Sequence, residues 1–244
     1  MKTHFILQKN LILGVILASF ITIAGCINGL NFEKGNGKIV KQQRTITSFS
    51  SIEISGAYEV YLTQDTAPSL SVEADENLQS LIITKVESNT LIIKNKENIH
   101  GSKPIKVFVN TSEIKNIDIS GSVDLKSTDN FKTNELNIDI SGLGNIDMKV
   151  ELQKLSIDCS GSGNINLSGT ADNVNAELSG AANIYAYNLT AKTFTLSSSG
   201  AGKANLNVTD KLDIETSGAS TVNYKGNPNI NQRTSGASSI HKVE

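Results

Sequence analysis

The sequence predicts an all-β chain. It is a parallel β-solenoid, with a right-handed β-helix favoured, built from 18–21-residue two-strand repeats behind a less regular β-rich part. Three observations predict it. A Ser-Gly pair recurs at Ser120, Ser141, Ser160, Ser179, Ser199, Ser217 and Ser235, always 18 to 21 residues after the last. The flanks of each pair alternate apolar and polar with period two, the pattern of a strand with one buried face. Finally, a unit this short cannot bury its own apolar side, so the units must stack and seal one another. The variable spacing, without a hexapeptide period, is what favours the right-handed form.

Residues 1–25 read as an export signal. Lys2, His4 and Lys9 give a positive start, and Leu11 to Ile23 is apolar. The run is shorter than the roughly 18–20 apolar residues a permanent spanning helix needs. It ends in Ile23-Ala24-Gly25-Cys26, which resembles a bacterial lipobox. Acylation of Cys26, with palmitate-type chains, is expected to anchor the chain to a membrane. Residue 27 is Ile rather than Asp, so the usual inner-membrane retention signal is missing and the outer membrane is the expected site. Whether the chain faces the periplasm or the cell surface stays open. Residues 26–44 hold the lipidated Cys and a polar, Gly- and Asn-rich stretch expected to be a flexible tether. The other cysteine, Cys159, falls in the same column as Ile119 and Ile140 and reads as a small buried hydrophobe.

Residues 45–116 form the irregular β-rich part. Strands are expected at Ile52–Ile54 and Tyr58–Leu62 around an upstream Ser55-Gly56, then at Leu70–Glu73, Leu81–Val86, Leu91–Lys94 and Ile105–Val109. A turn is expected at Asn89-Thr90. Ser55-Gly56 could make this region an outlying rung with insertions. Residues 117–244 form the Ser-Gly repeat solenoid. Five, three and one residues before each serine the side chains are apolar, as in Leu136, Ile138, Ile140 and Leu155, Ile157, Cys159. A second apolar column follows at Ile146, Ile165 and Ile184. The glycines suit a sharp corner, through positive φ or close backbone approach. The last unit places Gln232 and Thr234 in apolar columns, as a terminal cap would.

Several of these segments together resemble the head GIN domain family, the adhesin head domains of Bacteroidetes envelope proteins. The run Phe49-Ser50-Ser51-Ile52-Glu53-Ile54-Ser55-Gly56 and then Val60-Tyr61-Leu62 is similar to the family's opening. Val72 to Leu78, Asn89 to Ile93 and Ile105 to Val109 follow in its order, and Gly144-Asn145-Ile146 and Gly163-Asn164-Ile165 match the motif that names it. The resemblance covers about residues 45–244. It implies a solenoid-like, adhesive domain on lipoproteins and brings no catalytic or ligand residue with it.

Formal net charge is −2, with only two arginines and no Trp, so no nucleic-acid partner is expected. No catalytic, cofactor or metal residue is assigned. The serines lack a recurring His or carboxylate to activate them, so they read as structural. Two outward columns are the candidate sites. One is acidic: Asp118, Asp139, Asp158, Glu177 and Glu215. It is a solvated stripe or, in the sharper reading, a Ca²⁺ surface. The other holds Asn166, Tyr185, Asn205 and Asn223 and could meet a glycan, or could be a ladder of stacked amides. The expected function is a lipid-anchored, non-catalytic envelope protein, adhesive or scaffolding, in contact with a glycan or another envelope protein. Its alternatives are a periplasm-facing glycan-binding module and a polysaccharide-active β-helix enzyme. The sequence does not set the oligomeric state.

Overall fold

The computed structural model describes residues 32–244. Residues 1–25, where an export signal is expected, and Cys26 lie outside the described residues. The chain order is β1 (Glu33–Lys34), β2 (Ile39–Arg44), β3 (Ser51–Ser55), β4 (Ala57–Gln64) and β5 (Ser69–Asp75). A 3-10 helix (Glu76–Leu81) leads to β6 (Ile82–Glu87), β7 (Thr90–Asn95), β8 (Ile99–His100) and β9 (Lys106–Thr111). The repeats then supply β10 (Asn116–Ile119), β11 (Ser122–Lys132), β12 (Glu135–Ile140), β13 (Leu143–Cys159), β14 (Ser162–Leu178), β15 (Ala181–Ser198) and β16 (Ala201–Thr216). The last are β17 (Ala219–Lys225), β18 (Asn229–Thr234) and β19 (Ser239–Lys242).

From β10 onward every pairing is parallel, and each repeat lies on the one before it in register apart from bulges after Lys126, Asn166, Ala186 and Ala191. The result is a β-solenoid of about 7 turns. A first sheet carries the strands that enter each Ser-Gly corner. A second carries those that leave it. The long strands β13 to β16 run from one corner to the next, and their burial alternation breaks on the way. Leu152 and Leu155 both point inward with two exposed residues between them. The same skip separates Ala171 from Val174 and Ala191 from Phe194. Two successive outward residues are what a bend in an otherwise period-two strand requires.

The core is one continuous column of aliphatic side chains. Ile54, Ile119, Ile140 and Cys159 stack one behind another, each with no exposed surface. Cys159 is thus a core residue, and burial pushes its thiol pKa up. Toward the C-terminus this column becomes hydroxylic: Ser198 and Thr216 occupy it, and Ser198 Oγ lies 2.9 Å from Ser220 Oγ. The penultimate strand β18 is mostly exposed, Gln232 and Thr234 included.

The corner glycines act by close approach. At Gly121, Gly142, Gly161, Gly180, Gly200 and Gly218, φ stays outside the left-handed region. A Cβ built on any of them would fall within 3 Å of the carbonyl oxygen of the corner glycine one turn earlier. The backbones at this edge are stacked too tightly for any side chain. The neighbouring serine hydroxyls do little bonding by comparison; Ser120 Oγ reaches Ile54 O at 3.5 Å, the outer limit of a hydrogen bond.

The N-terminal part is woven differently. β3 and β4 form a true rung, with Ile54 opposite Ile119 and Ala57 opposite Ser122. The rung outside it comes later in sequence: β7 pairs with β3, and β9 with β4. Antiparallel strands then close the end. β6 pairs with β7 through a turn at Ser88-Asn89, both with positive φ, one residue earlier than the expected Asn89-Thr90. β5 pairs with β9, and β2 with β5.

Here the expectation of a flexible tether over 26–44 is corrected for residues 33–44. Ile39–Arg44 is an edge strand, and Glu33–Lys34 pairs with β8. Polar composition misled because an edge strand with one solvated face needs few apolar residues. A buried carboxylate fixes the arm. Asp75 accepts from the Gly37 N–H (2.6 Å), the Ser102 N–H (2.8 Å) and Ser102 Oγ (2.7 Å). Among the described residues no helix is long and apolar enough to cross a membrane.

Candidate functional site

Register turns each outward sequence position into a straight column on the solenoid surface, with neighbours about 4.8 Å apart. On the first sheet the acidic residues line up as expected: Asp118, Asp139, Asp158 and Glu177 are mutual partners, all exposed. Ser197 interrupts the column, and Glu215 follows. Two ends were not foreseen. Glu53 of β3 extends the column past Asp118, and Arg233 of β18 closes it beside Glu215. Glu53 was legible only once Ser55-Gly56 was accepted as a rung. Burial first, and then Glu53, raises the pKa of Asp118; burial first, and then Asp118 and Asp158, raises that of Asp139. A parallel amide column runs two residues away, where Asn137 Nδ2 donates to Asn116 Oδ1 at 3.1 Å and Asn116 Nδ2 to Ser51 Oγ at 2.9 Å. Together the two columns line a shallow groove of about 420 Å³. Among the described residues no group of three or more His, Cys, Asp or Glu has the arrangement of a metal site. The carboxylates are strung along a line, whereas a Ca²⁺ ion needs six to eight oxygens converging on a point.

On the second sheet the candidate column for a glycan is in register at Asn166, Tyr185, Asn205 and Asn223. Tyr185 is 38% exposed, and Asn166 and Asn223 are half-buried. Asn205 is a correction: it is buried at 7% exposure, wedged in line between Tyr185 and Asn223, and its Oδ1 accepts from Asn223 Nδ2 at 3.0 Å. Alternation assigns it outward, but in-register neighbours close over a short side chain. The column continues past the repeats into Tyr61 and Phe108, whose rings stack at 5.1 Å and 14°. Lys41 Nζ covers the far face of the stack, 3.8 Å from the Phe108 centroid.

Two positions earlier lies a ladder that the candidate columns do not include. Asn145 donates to Asp124 Oδ1 (2.7 Å), Asn164 to Asn145 Oδ1 (3.1 Å) and Asn183 to Asn164 Oδ1 (3.1 Å). The signal was the Asn of Gly144-Asn145-Ile146, Gly163-Asn164-Ile165 and Ala182-Asn183-Ile184. This gives the motif a physical meaning. Its first residue is small because a Cβ on Gly144 would press on Ile140 and one on Gly163 would meet the backbone oxygen of Gly144. Its Asn joins the outer ladder, and its Ile fills the core with no exposed surface.

A third feature breaks the repeat. The connection from β7 to β9 folds over the first corner and encloses a cleft of about 430 Å³ with Tyr58, Glu59, Asn95, His100, Lys103 and Asp124 among its walls. His100 lies in the short strand β8. Tyr58 is buried with its hydroxyl bonded to Asn95 Oδ1, and burial raises its pKa above the ordinary phenol range.

The comparisons agree with this geometry. A solved structure from Bacteroides fragilis NCTC 9343, named a "putative adhesin", superposes with a TM-score of 0.82 at 27% identity, over 86% of this chain and 99% of its own. A protein from Parabacteroides distasonis ATCC 8503, named a "putative lipid binding protein", gives 0.72 at 26%, over 88% and 100%. A "putative adhesin" from Parabacteroides merdae ATCC 43184 gives 0.68 at 24%, over 88% and 100%, and supports the fold alone. No curated protein sequence matches. The family model described as "Putative auto-transporter adhesin, head GIN domain" matches residues 48–228, from the first rung through β17, and the chain therefore belongs to the head GIN domain family.

Proposed function

We propose that this is a lipid-anchored cell-envelope protein, held through Cys26, whose solenoid works without catalysis by surface contact, adhesive or scaffolding. One observation carries the reading. On the repeats the outward chemistry is arranged in straight columns, one residue per turn, and not in a convergent cluster. Acid–base or nucleophilic catalysis needs unlike groups aimed at one reacting atom. A ladder of like groups at constant spacing instead suits many weak contacts along an extended partner, whose affinities multiply when several are engaged. The solenoid interior is filled by aliphatic side chains, so the contact is made from outside. The same would hold for a lipid of the kind one relative's name carries.

The test is made on intact cells. Protease shaving should remove the head if it faces outward, and deletion should lower attachment to the native surface. A head protected from protease in intact cells, and digested only after the outer membrane is opened, would overturn adhesion. The second reading, a periplasm-facing glycan-binding module, is favoured by Tyr185 standing exposed between Asn166 and the Asn205–Asn223 pair. The Tyr61–Phe108 stack weighs against it, because those ring faces are already occupied by each other and by Lys41. A glycan array that shows no binding would remove this reading.

A further inference from the structure

The N-terminal arm is fastened to the capped end of the solenoid, and this determines which end meets a membrane. Glu33 and Lys34 pair with Ile99 and His100. The Asn36 N–H donates to Asn77 Oδ1 (2.9 Å), Asn77 Nδ2 to Lys34 O (2.8 Å), and the Gly37 N–H to buried Asp75. From Ile39 the chain is an edge strand on β5. The chain is therefore tied down from residue 33, only seven residues beyond Cys26. Even fully extended, that stretch reaches about 25 Å, against about 60 Å had residues 26–44 been free.

The surface at this point carries an exposed aromatic ring and three exposed lysines, with exposed Glu33 and Glu97 beside them. Phe32 is 49% exposed at the start of the arm. Lys34, Lys96 and Lys103 flank the β1–β8 pair, are exposed, and have no ion-pair partner among the described residues. Aromatic side chains settle at headgroup level, and lysines there are drawn to lipid phosphates. Charge also differs along the rod. Residues 33–111 carry nine acidic and nine basic side chains, whereas residues 112–244 carry fifteen acidic and eleven basic. The repeats are the part that an anionic surface repels.

We infer that the capped end, through Phe32, Lys34, Lys96 and Lys103, rests on the headgroups of the leaflet that holds Cys26, so that the repeats project away and the open strands β18 and β19 form the distal tip. The inference rests on the anchor reading above. It differs from that reading in giving the head an orientation and a second, non-covalent contact.

The chain has no Trp, so a single introduced Trp is a clean reporter. The full lipidated protein, as Phe32→Trp and separately as His241→Trp, is reconstituted into phosphatidylethanolamine–phosphatidylglycerol vesicles with brominated acyl chains. Both proteins should float with the vesicles. Trp emission at position 32 should shift to the blue and lose most of its intensity to bromine, while that at 241 is unchanged. Adding Lys34→Glu, Lys96→Glu and Lys103→Glu to Phe32→Trp should restore the lost intensity. Flotation of both proteins with equal, unquenched emission at 32 and 241 would overturn the docked orientation and leave the anchor standing. Failure of the wild-type chain to float would overturn the anchor reading, and the inference with it.

Discussion

The capped end and the repeats solve the same problem with different chemistry. Both must keep stacked strands together with few large side chains. The repeats do it with uniformity: every turn offers the same core positions, the same corner and the same ladder to the next. The cap does it with singular contacts. Asp75 clamps two segments, and Gln79 Nε2 bonds Val40 O and Val72 O while Arg44 reaches Gln79. Antiparallel strands turn the last edge aside. The lesson is that a solenoid's middle tolerates only substitutions that every turn could accept, whereas its end depends on a handful of irreplaceable polar groups.

The largest expected effect breaks the uniform region. Gly161→Ala puts a Cβ against the backbone oxygens of Gly142 and Ser141. Backbone cannot yield as a side chain can, so a loss of about 4 kcal/mol or failure to fold is expected, measured by urea denaturation. Gly37→Ala sharpens the contrast. Gly37 has φ +83 with nothing within 4 Å of its Cβ position, so only backbone strain opposes the change, at about 1 kcal/mol.

Next comes Asp75→Asn. It removes the charge from a fully buried acceptor of three hydrogen bonds. A loss of about 2–3 kcal/mol is expected, concentrated in residues 33–44 and 99–103 by hydrogen exchange. Burial is the largest influence on Asp75 and pushes its pKa up, but the bonds from Ser102 and Gly37 together outweigh it and hold the pKa below the ordinary value. A lowered carboxylate stabilises the fold above its unfolded pKa. That stability is lost as pH falls through the ordinary carboxylate range, about 4, toward the lowered value. The cap should therefore open first in acid.

Asn164→Ala cuts the ladder in the middle, between Asn145 and Asn183. The site is exposed, so about 1 kcal/mol is expected, by thermal denaturation. The smallest effect has the opposite sign. Asp139→Asn relieves repulsion from Asp118 and Asp158 and should stabilise by no more than about 0.5 kcal/mol after solvent screening. Because the Asp118 and Asp139 pKa values are raised, ionisation weakens the fold as pH climbs through them and protonation relieves it. The repeats should therefore gain slightly over the same acid range in which the cap loses, which region-resolved hydrogen exchange can read.

Much was fixed by the sequence alone. Ile138, Ile157 and Ile165 are core residues because alternation leaves them no other face, and the Ser-Gly spacing sets which residue stacks on which. The acidic column followed from the same count. Three things were decided only by the tertiary structure. The order of the first rungs depends on β7 and β9 crossing outside β3 and β4, a long-range choice that no local pattern encodes. Glu33–Lys34 and Ile39–Arg44 are strand because β8 and β5 offer them edges, whereas their own composition reads as linker. And Asn205 is buried because Tyr185 and Asn223 stand in line with it. Periodicity determines which face a side chain leaves by; only the neighbours on that face determine how much water reaches it.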